Sequence, residues 1–116
     1  SAEVSDSFYI IFNDYLDIVN ETIPKSFTVF SAYPNPFNPF TTLSYVIPAD
    51  GFVDVTIFDM MGREIKNLVS SKQSNGYKSI RWDATNNQNQ AVTAGVYLYK
   101  IEYENFVTTQ KMILLK

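Results

Sequence analysis

A proline segment, residues 33–39, constrains the folding of this chain more than any other stretch; it reads Tyr-Pro-Asn-Pro-Phe-Asn-Pro. Each proline lacks a backbone N–H, fixes its own φ near about −65° and disfavours the helical region for the residue before it. The segment therefore suits neither a helix nor a regular strand ladder. Asn35 and Asn38 favour turns, because their side chains bond to nearby backbone. Tyr33 and Phe37 add two aromatic rings, which favours packing onto a domain over a free linker.

Apolar and polar residues alternate with a period of two around and beyond this segment, which predicts strands. The predicted strands are residues 27–32, 41–47, 52–58, 63–69, 77–82, 95–103 and 106–115. Residues 70–76 and 83–93 are predicted to be loops, and Glu104 with Asn105 forms the turn of a final hairpin. Seven short strands with regular turn signals predict an all-β fold, an Ig-like or fibronectin-like antiparallel β-sandwich. Trp82 is expected to fill the space between its sheets.

The residues before the sandwich have a different character. Residues 7–12 are predicted to form a short apolar strand, which we interpret as the last strand of a preceding domain, residues 1–13. Residues 14–26 are polar and acidic and are predicted to be a linker, so the sandwich covers residues 27–116. An isolated strand has unpaired edges. Residues 7–12 are therefore expected to pair with an edge of their own domain or with a second copy, which would give a homodimer.

Composition excludes several classes of function. Cysteine and histidine are absent, which removes disulfides, thiolate zinc sites and Ser-His-Asp triads. The net charge is −3 and no basic stripe exists for nucleic acid. No apolar run reaches the roughly 18 residues of a transmembrane helix, and we expect no signal peptide at residues 1–8, which lack a basic and an apolar region. We expect no enzymatic activity and no cofactor.

A polar loop after Trp82 is a candidate calcium site. Its oxygen-bearing side chains are those of Asp83, Asn86, Asn87 and Asn89. Calcium takes carboxylate and amide oxygens at such spacing, but this loop has one formal charge and lacks the glycine and glutamate of an EF-hand. The sequence favours a plain loop of Asx turns.

Glycoside hydrolysis requires a pair of carboxylates, and three residues are candidates for it: Asp50, Asp54 and Asp59. Asp54 is predicted on the outward face of the third strand and the other two in turns. Nothing nearby would raise a pKa by burial. The sequence therefore argues against catalysis.

Three tyrosines alternate along the sixth strand: Tyr97, Tyr99 and Tyr103. An exposed, planar row of these rings would stack on sugars and would make the domain a carbohydrate-binding module. Positions in or near the core are favoured instead, because aromatic residues are enriched in half-buried strands.

Five stretches in order carry a family resemblance: YPNPFNPFTTLSYVIP, VTIFDMMGREIKNLV, GYKSIRWD, AGVYLYKI and QKMILLK. Together they resemble the type A C-terminal sorting domain of cargo proteins exported by the bacterial type IX secretion system. They are also similar to the Ig-like domain of flagellar hook-capping proteins, which implies a structural module of an extracellular or flagellar assembly as the alternative. The position of the last stretch at Lys116 favours the sorting domain.

The resemblance implies a non-catalytic signal on a protein that is secreted or displayed on the surface of a Gram-negative bacterium, by way of the periplasm. The implied partners are the type IX translocon, its shuttle protein and a sortase-like peptidase that cleaves within about residues 20–27 and releases or anchors the cargo. The positions that match the family motifs are Pro34, Asn35, Pro36, Phe37, Asn38, Pro39, Gly62, Gly95, Val96, Tyr97, Lys111 and Lys116.

Overall fold

The structure is a computed structural model and describes residues 26–115. The predicted strand 7–12, most of the predicted linker and Lys116 lie outside these residues. The strands are β1 Thr28–Val29, β2 Thr41–Ile47, β3 Gly51–Asp59, β4 Glu64–Gln73, β5 Gly76–Trp82, β6 Gly95–Tyr103 and β7 Phe106–Leu114. The described part of the chain contains no helix that could cross a membrane.

The seven strands form two antiparallel sheets, which confirms the predicted all-β sandwich. One sheet has the order β1-β2-β5, and the other has the order β4-β3-β6-β7. Hairpins join β3 to β4 and β6 to β7, so β4 and β7 become the edges of the larger sheet.

The core follows from the alternation in the sequence. Alternate residues of β2, β3 and β6 are buried, among them Leu43, Tyr45, Ile47, Val53, Val55, Ile57, Tyr97, Tyr99 and Ile101. Trp82 is fully buried, as predicted, with its ring 5.6 Å from that of Phe37 and 5.3 Å from that of Tyr97. The Trp82 indole N–H donates to the Thr85 carbonyl oxygen at 2.9 Å, which satisfies the polar atom that burial would otherwise leave unpaired.

Two predicted boundaries are wrong. β1 has only two residues, because the chain then turns toward the prolines, although the Phe30 N–H still donates to the Ser44 carbonyl oxygen at 3.0 Å. β4 continues through most of the predicted loop 70–76, because its backbone stays paired with β3 as far as the contact of Gln73 with Gly51. Polar side chains are compatible with this extension, since an edge strand is exposed to solvent.

The strand register gathers distant parts of the chain at one end of the sandwich. Asp59 at the end of β3 lies opposite Tyr97 near the start of β6. Gly95 lies opposite Leu114 at the end of β7, and Phe37 forms a parallel bridge with Leu114. We call this region the motif end.

Candidate functional site: the proline segment and the last strand

The proline segment is bonded to the outer edge of β7. The Asn35 side chain takes the place of a strand residue there: its Nδ2 donates to the Lys111 carbonyl oxygen at 3.3 Å, and its Oδ1 accepts from the Ile113 N–H at 3.0 Å. A side-chain amide carries the same donor and acceptor as a peptide group. Asn35 can therefore cover an edge that the neighbouring prolines cannot cover with N–H groups.

Phe37 continues this cover with its backbone and anchors it with its ring. Its N–H donates to the Ile113 carbonyl oxygen at 2.9 Å, and its carbonyl oxygen accepts from the Leu115 N–H at 2.9 Å. The ring is 1% exposed and packs on Trp82. The predicted packing of the segment onto a domain is confirmed.

The start of the segment is tied to β2. Tyr33 and Thr42 exchange two backbone hydrogen bonds, at 3.1 and 2.9 Å. The buried Thr41 hydroxyl donates to the Pro34 carbonyl oxygen at 2.7 Å. The segment therefore bridges the two sheets, from β2 in one to β7 in the other.

A buried tyrosine completes the connection. The Tyr99 hydroxyl oxygen accepts from the Ala32 N–H at 3.0 Å and lies 3.2 Å from the Phe30 carbonyl oxygen and 2.9 Å from Gln110 Oε1. Burial raises the pKa of Tyr99 above its ordinary value of 10.0, so the hydroxyl stays protonated near neutral pH. It therefore joins the chain just before the proline segment to β6 and β7.

The two motif glycines belong to loops at the motif end. Gly62 has φ +86° and Gly95 has φ +151°, conformations that favour glycine. Asp59 holds the Gly62 turn, because its Oδ1 accepts from the N–H groups of Met61 and Arg63 and its Oδ2 accepts from Arg63 Nε at 2.8 Å. These bonds keep the pKa of Asp59 below its usual range, with the backbone bond from Arg63 as the largest cause.

A groove of about 400 Å³ lies between the Gly62 turn and the Gly95 loop, with Met60, Met61, Val96 and Tyr97 among its walls. The positive φ angles of Gly62 and Gly95 give both motif glycines a role in backbone conformation. Val96 and Tyr97, which line the groove, lie at the same end of the domain as the proline segment.

The last strand presents one face to the core and one to solvent. Met112 and Leu114 are buried, whereas Lys111, Ile113 and Leu115 are exposed. The structure therefore brings Pro34, Asn35, Pro36, Phe37, Asn38 and Pro39 together with Lys111, and Gly95 lies across from Leu114. Lys116 lies outside the described residues.

The candidate calcium side chains serve hydrogen bonds within the loop and to β4. Asn86 Oδ1 accepts from the N–H groups of Gln88 and Gln90, and Asn87 Oδ1 accepts from the Asn67 N–H. These bonds favour the predicted Asx-turn loop over an oxygen-ligand cation site. Within residues 26–115 no three acidic residues group together around a metal position.

The ammonium of Lys66 reaches into the same loop. It donates to Thr85 Oγ1 at 2.9 Å and to Asn89 Oδ1 at 3.0 Å. The Thr85 hydroxyl in turn donates to Asp83 Oδ1 at 2.5 Å. This bond and the charge of Lys66 hold the pKa of Asp83 below its ordinary value of 3.8. The positive charge of Lys66 therefore already lies among the oxygen atoms of this loop.

The hypothesis of a carboxylate pair for glycoside hydrolysis is wrong, because the aspartates lie too far apart. Asp50 precedes β3 and Asp59 ends it, so nine strand steps of about 3.3 Å separate them by roughly 30 Å. Asp54 lies four strand steps from Asp50 and five from Asp59, roughly 13 and 17 Å away. Its carboxylate accepts from Asn67 Nδ2. A glycosidase pair needs its two carboxyl groups within roughly 5–10 Å.

The alternative of an exposed tyrosine row, as in a carbohydrate-binding module, is also wrong. Tyr97, Tyr99 and Tyr103 are all buried. Their hydroxyls bond inside the domain, that of Tyr97 to the Thr93 carbonyl oxygen and that of Tyr103 to the Ala49 carbonyl oxygen. The favoured position in the core is confirmed.

Comparison with known proteins gives the family. The secretion system C-terminal sorting domain matches residues 31–115, from just before the proline segment to the end of β7. This chain belongs to that family. The match confirms the type IX sorting domain expected from the sequence motifs. Domains of this kind are generally non-catalytic sorting signals of secreted or cell-surface proteins. None of the curated proteins compared with the chain matches it.

Solved structures support the same fold. Dimeric latent PorU from Porphyromonas gingivalis is 24% identical with a TM-score of 0.64, over 84% of this chain and 10% of PorU. PorZ of the same organism, a surface component of the type IX secretion system, is 18% identical with a TM-score of 0.53, over 76% of this chain and 11% of PorZ. This chain thus spans about a tenth of either protein.

The hook-capping protein FlgD from Xanthomonas campestris is 20% identical with a TM-score of 0.52, over 78% of this chain and 63% of FlgD. The predicted likeness to hook-capping domains is therefore confirmed at the level of the fold.

Several residues that build the site were not predicted to do so. Tyr99 binds the chain before the proline segment and is itself bonded to Gln110 Oε1, and Thr41 binds within the segment. Their signal in the sequence was weak, because polar residues of a strand become informative only when their partner is known. The pairing of Asn35 with residues more than seventy positions away left no local pattern.

Proposed function

We propose that this domain is the export signal of a cargo protein of the type IX secretion system, read as a folded surface at the motif end. The observation that carries the proposal is the pairing of the proline segment with β7. It builds the first and last motifs of the family into one surface, which exposes Lys111, Ile113 and Leu115 beside the prolines.

The physical basis of recognition would be side chains held on rigid backbone. Lys111 makes no ion pair within residues 26–115, so its charge is available to a partner. Ile113 and Leu115 add exposed apolar surface on the same face of β7. An apolar patch with an unpaired charge at its rim is typical of interaction surfaces.

We propose the remaining steps from the family. The cargo crosses the outer membrane of a Gram-negative bacterium from the periplasm, with the translocon and a shuttle protein as partners. A sortase-like peptidase then cleaves within about residues 20–27 and releases the cargo or anchors it to the surface. Residues 1–13 would end the cargo domain and residues 14–26 would be the linker, which leaves the proline segment with the sorting domain after cleavage.

A secretion assay tests this function. The full chain of 116 residues would be fused behind a periplasm-targeted fluorescent protein in a bacterium with a type IX system. We expect fluorescence at the surface or in the medium, and retention in the periplasm when residues 111–116 are removed.

Because that truncation also removes part of β7, a surface variant is needed. Lys111→Ala should reduce export, whereas Lys72→Ala, at an exposed lysine on β4, should not. Circular dichroism would show that both variants fold. Periplasmic retention of the intact chain would contradict the proposal, and so would equal export of the two lysine variants.

A further inference from the structure

The outer edge of β7 is covered along only half of its length. Tyr103 pairs with Phe106 around a two-residue turn, so alternate residues of β7 direct their backbone groups away from β6. These outward residues are Val107, Thr109, Lys111 and Ile113. The proline segment follows this register, because it bonds the Lys111 carbonyl oxygen and both backbone groups of Ile113.

The other half has free hydrogen-bonding groups. Within residues 26–115, the N–H and C=O of Val107 and of Thr109 and the N–H of Lys111 have no partner on this side. These five groups lie in a row that ends where Asn35 begins. A strand added there would meet the proline segment end to end.

The open half of the β7 edge also lacks the charged side chains that discourage the addition of another strand. Residues 106–110 read Phe-Val-Thr-Thr-Gln and carry no charged side chain, and Val107 is 54% exposed. The open part of β4 has Lys72, and the outer strand β5 has Lys78 and Arg81. Natural edge strands usually carry such charges to prevent strand addition. Their absence from the open half of β7 marks it as a place where addition is favoured.

We propose that residues 106–110 accept an extended segment of an envelope protein of the export machinery, which adds to the sheet as a fifth strand. Backbone bonds to Val107 and Thr109 would supply affinity, as in other cases of strand addition. Lys111 stands at the end of the open edge without an ion pair in the described part of the chain, so the partner segment carries a carboxylate at that position. This inference rests on the proposed function and names the surface through which the partner binds.

The test uses the full chain behind the fluorescent reporter in the type IX host. The photo-cross-linker p-benzoylphenylalanine would replace Thr109 in one version and Ser70 of β4 in another. Light should join the Thr109 version to one envelope protein of the host, and the Ser70 version should not yield that product.

A second substitution removes one outward N–H and leaves the ladder with β6 intact. Val107→Pro, made in the Thr109 version, should reduce the cross-linked product about tenfold, the effect of about one backbone hydrogen bond. Val107→Thr keeps the N–H and should leave the yield unchanged. Proline is tolerated on an open edge, and circular dichroism would verify the fold.

The outcomes separate the two proposals. Export of the reporter with no cross-link at Thr109, with a second copy of the fusion as the product, or with equal yields for the proline and threonine variants overturns the docking edge and leaves the export signal standing. A reporter that stays in the periplasm overturns the export signal, and the docking edge falls with it.

Discussion

Each edge of the larger sheet is partly covered by an asparagine, Asn35 at β7 and Asn87 at β4, but the two covers are anchored differently. At β7, Asn35 bonds Lys111 and Ile113, and the neighbouring Phe37 is buried against Trp82. At β4, the Asn87 N–H donates to the Ile65 carbonyl oxygen, and its Oδ1 accepts from the Asn67 N–H.

The difference lies in what surrounds each asparagine. The cover of β4 comes from the exposed tip of a loop and is held to β4 by polar contacts, such as the bonds from Lys66 to Thr85 and Asn89. The cover of β7 belongs to the core through Phe37. An apolar anchor makes the cover of β7 a part of the folding unit, whereas the polar cover of β4 can open locally while the sandwich stays folded.

The largest effect should come from removing the anchor. Phe37→Ala empties a buried position between the sheets and should lower the free energy of unfolding by about 3–5 kcal/mol. Urea denaturation would measure it. A loss below about 1 kcal/mol would mean that the proline segment does not share the core.

A smaller loss of stability is expected when the polar part of the same cover, the Asn35 side chain, is removed. Asn35→Ala frees the Lys111 carbonyl oxygen and the Ile113 N–H, and should lower stability by about 1 kcal/mol because solvent can reach this exposed edge. Exchange of the Ile113 amide should become about tenfold faster. Asn35→Asp keeps the acceptor for Ile113 and loses only the donor to Lys111. Its Ile113 amide should therefore stay more protected than in Asn35→Ala, and equal exchange would contradict the assigned bonds.

The matching change at β4 should do less to the whole domain. Asn87→Ala should lower stability by only about 0.5 kcal/mol, because the side chain is exposed and water replaces its bonds. Exchange should quicken at the Asn67 amide and not at Ile113. A loss as large as that of Asn35→Ala would remove the contrast between the two covers.

The smallest effect should be the pH dependence of stability in the loop that covers β4. The pKa of Asp83 is below its ordinary value of 3.8, mainly because the Thr85 hydroxyl donates to the carboxylate. Its contribution to stability is therefore present above about pH 4 and is lost as the pH falls through the lowered pKa. Amide protection corrected for intrinsic exchange should weaken in residues 83–93 below about pH 4. The Ile113 amide, bonded to the neutral Asn35, should keep its protection, and a parallel loss at both edges would contradict this prediction.

The sequence predicted the sandwich because the alternation in β2, β3 and β6 reports burial directly. It also predicted the buried Trp82, since a large aromatic residue in a strand favours the space between the sheets. It misplaced the ends of β1 and β4, because polar edge residues fit a strand or a loop equally well. The site itself was predicted only as two separate motifs. Their contact depends on the strand order, and no local pattern encodes that order.

The central claim is that the proline segment and the last strand work as one export surface. Export of the fluorescent reporter by the full chain should be compared between Asn35→Leu and Asn87→Leu, with the folded state of both verified by circular dichroism. We predict that Asn35→Leu loses most of its export together with the protection of the Ile113 amide, and that Asn87→Leu is exported like the unchanged chain. Normal export of Asn35→Leu despite an unprotected Ile113 amide would contradict the account.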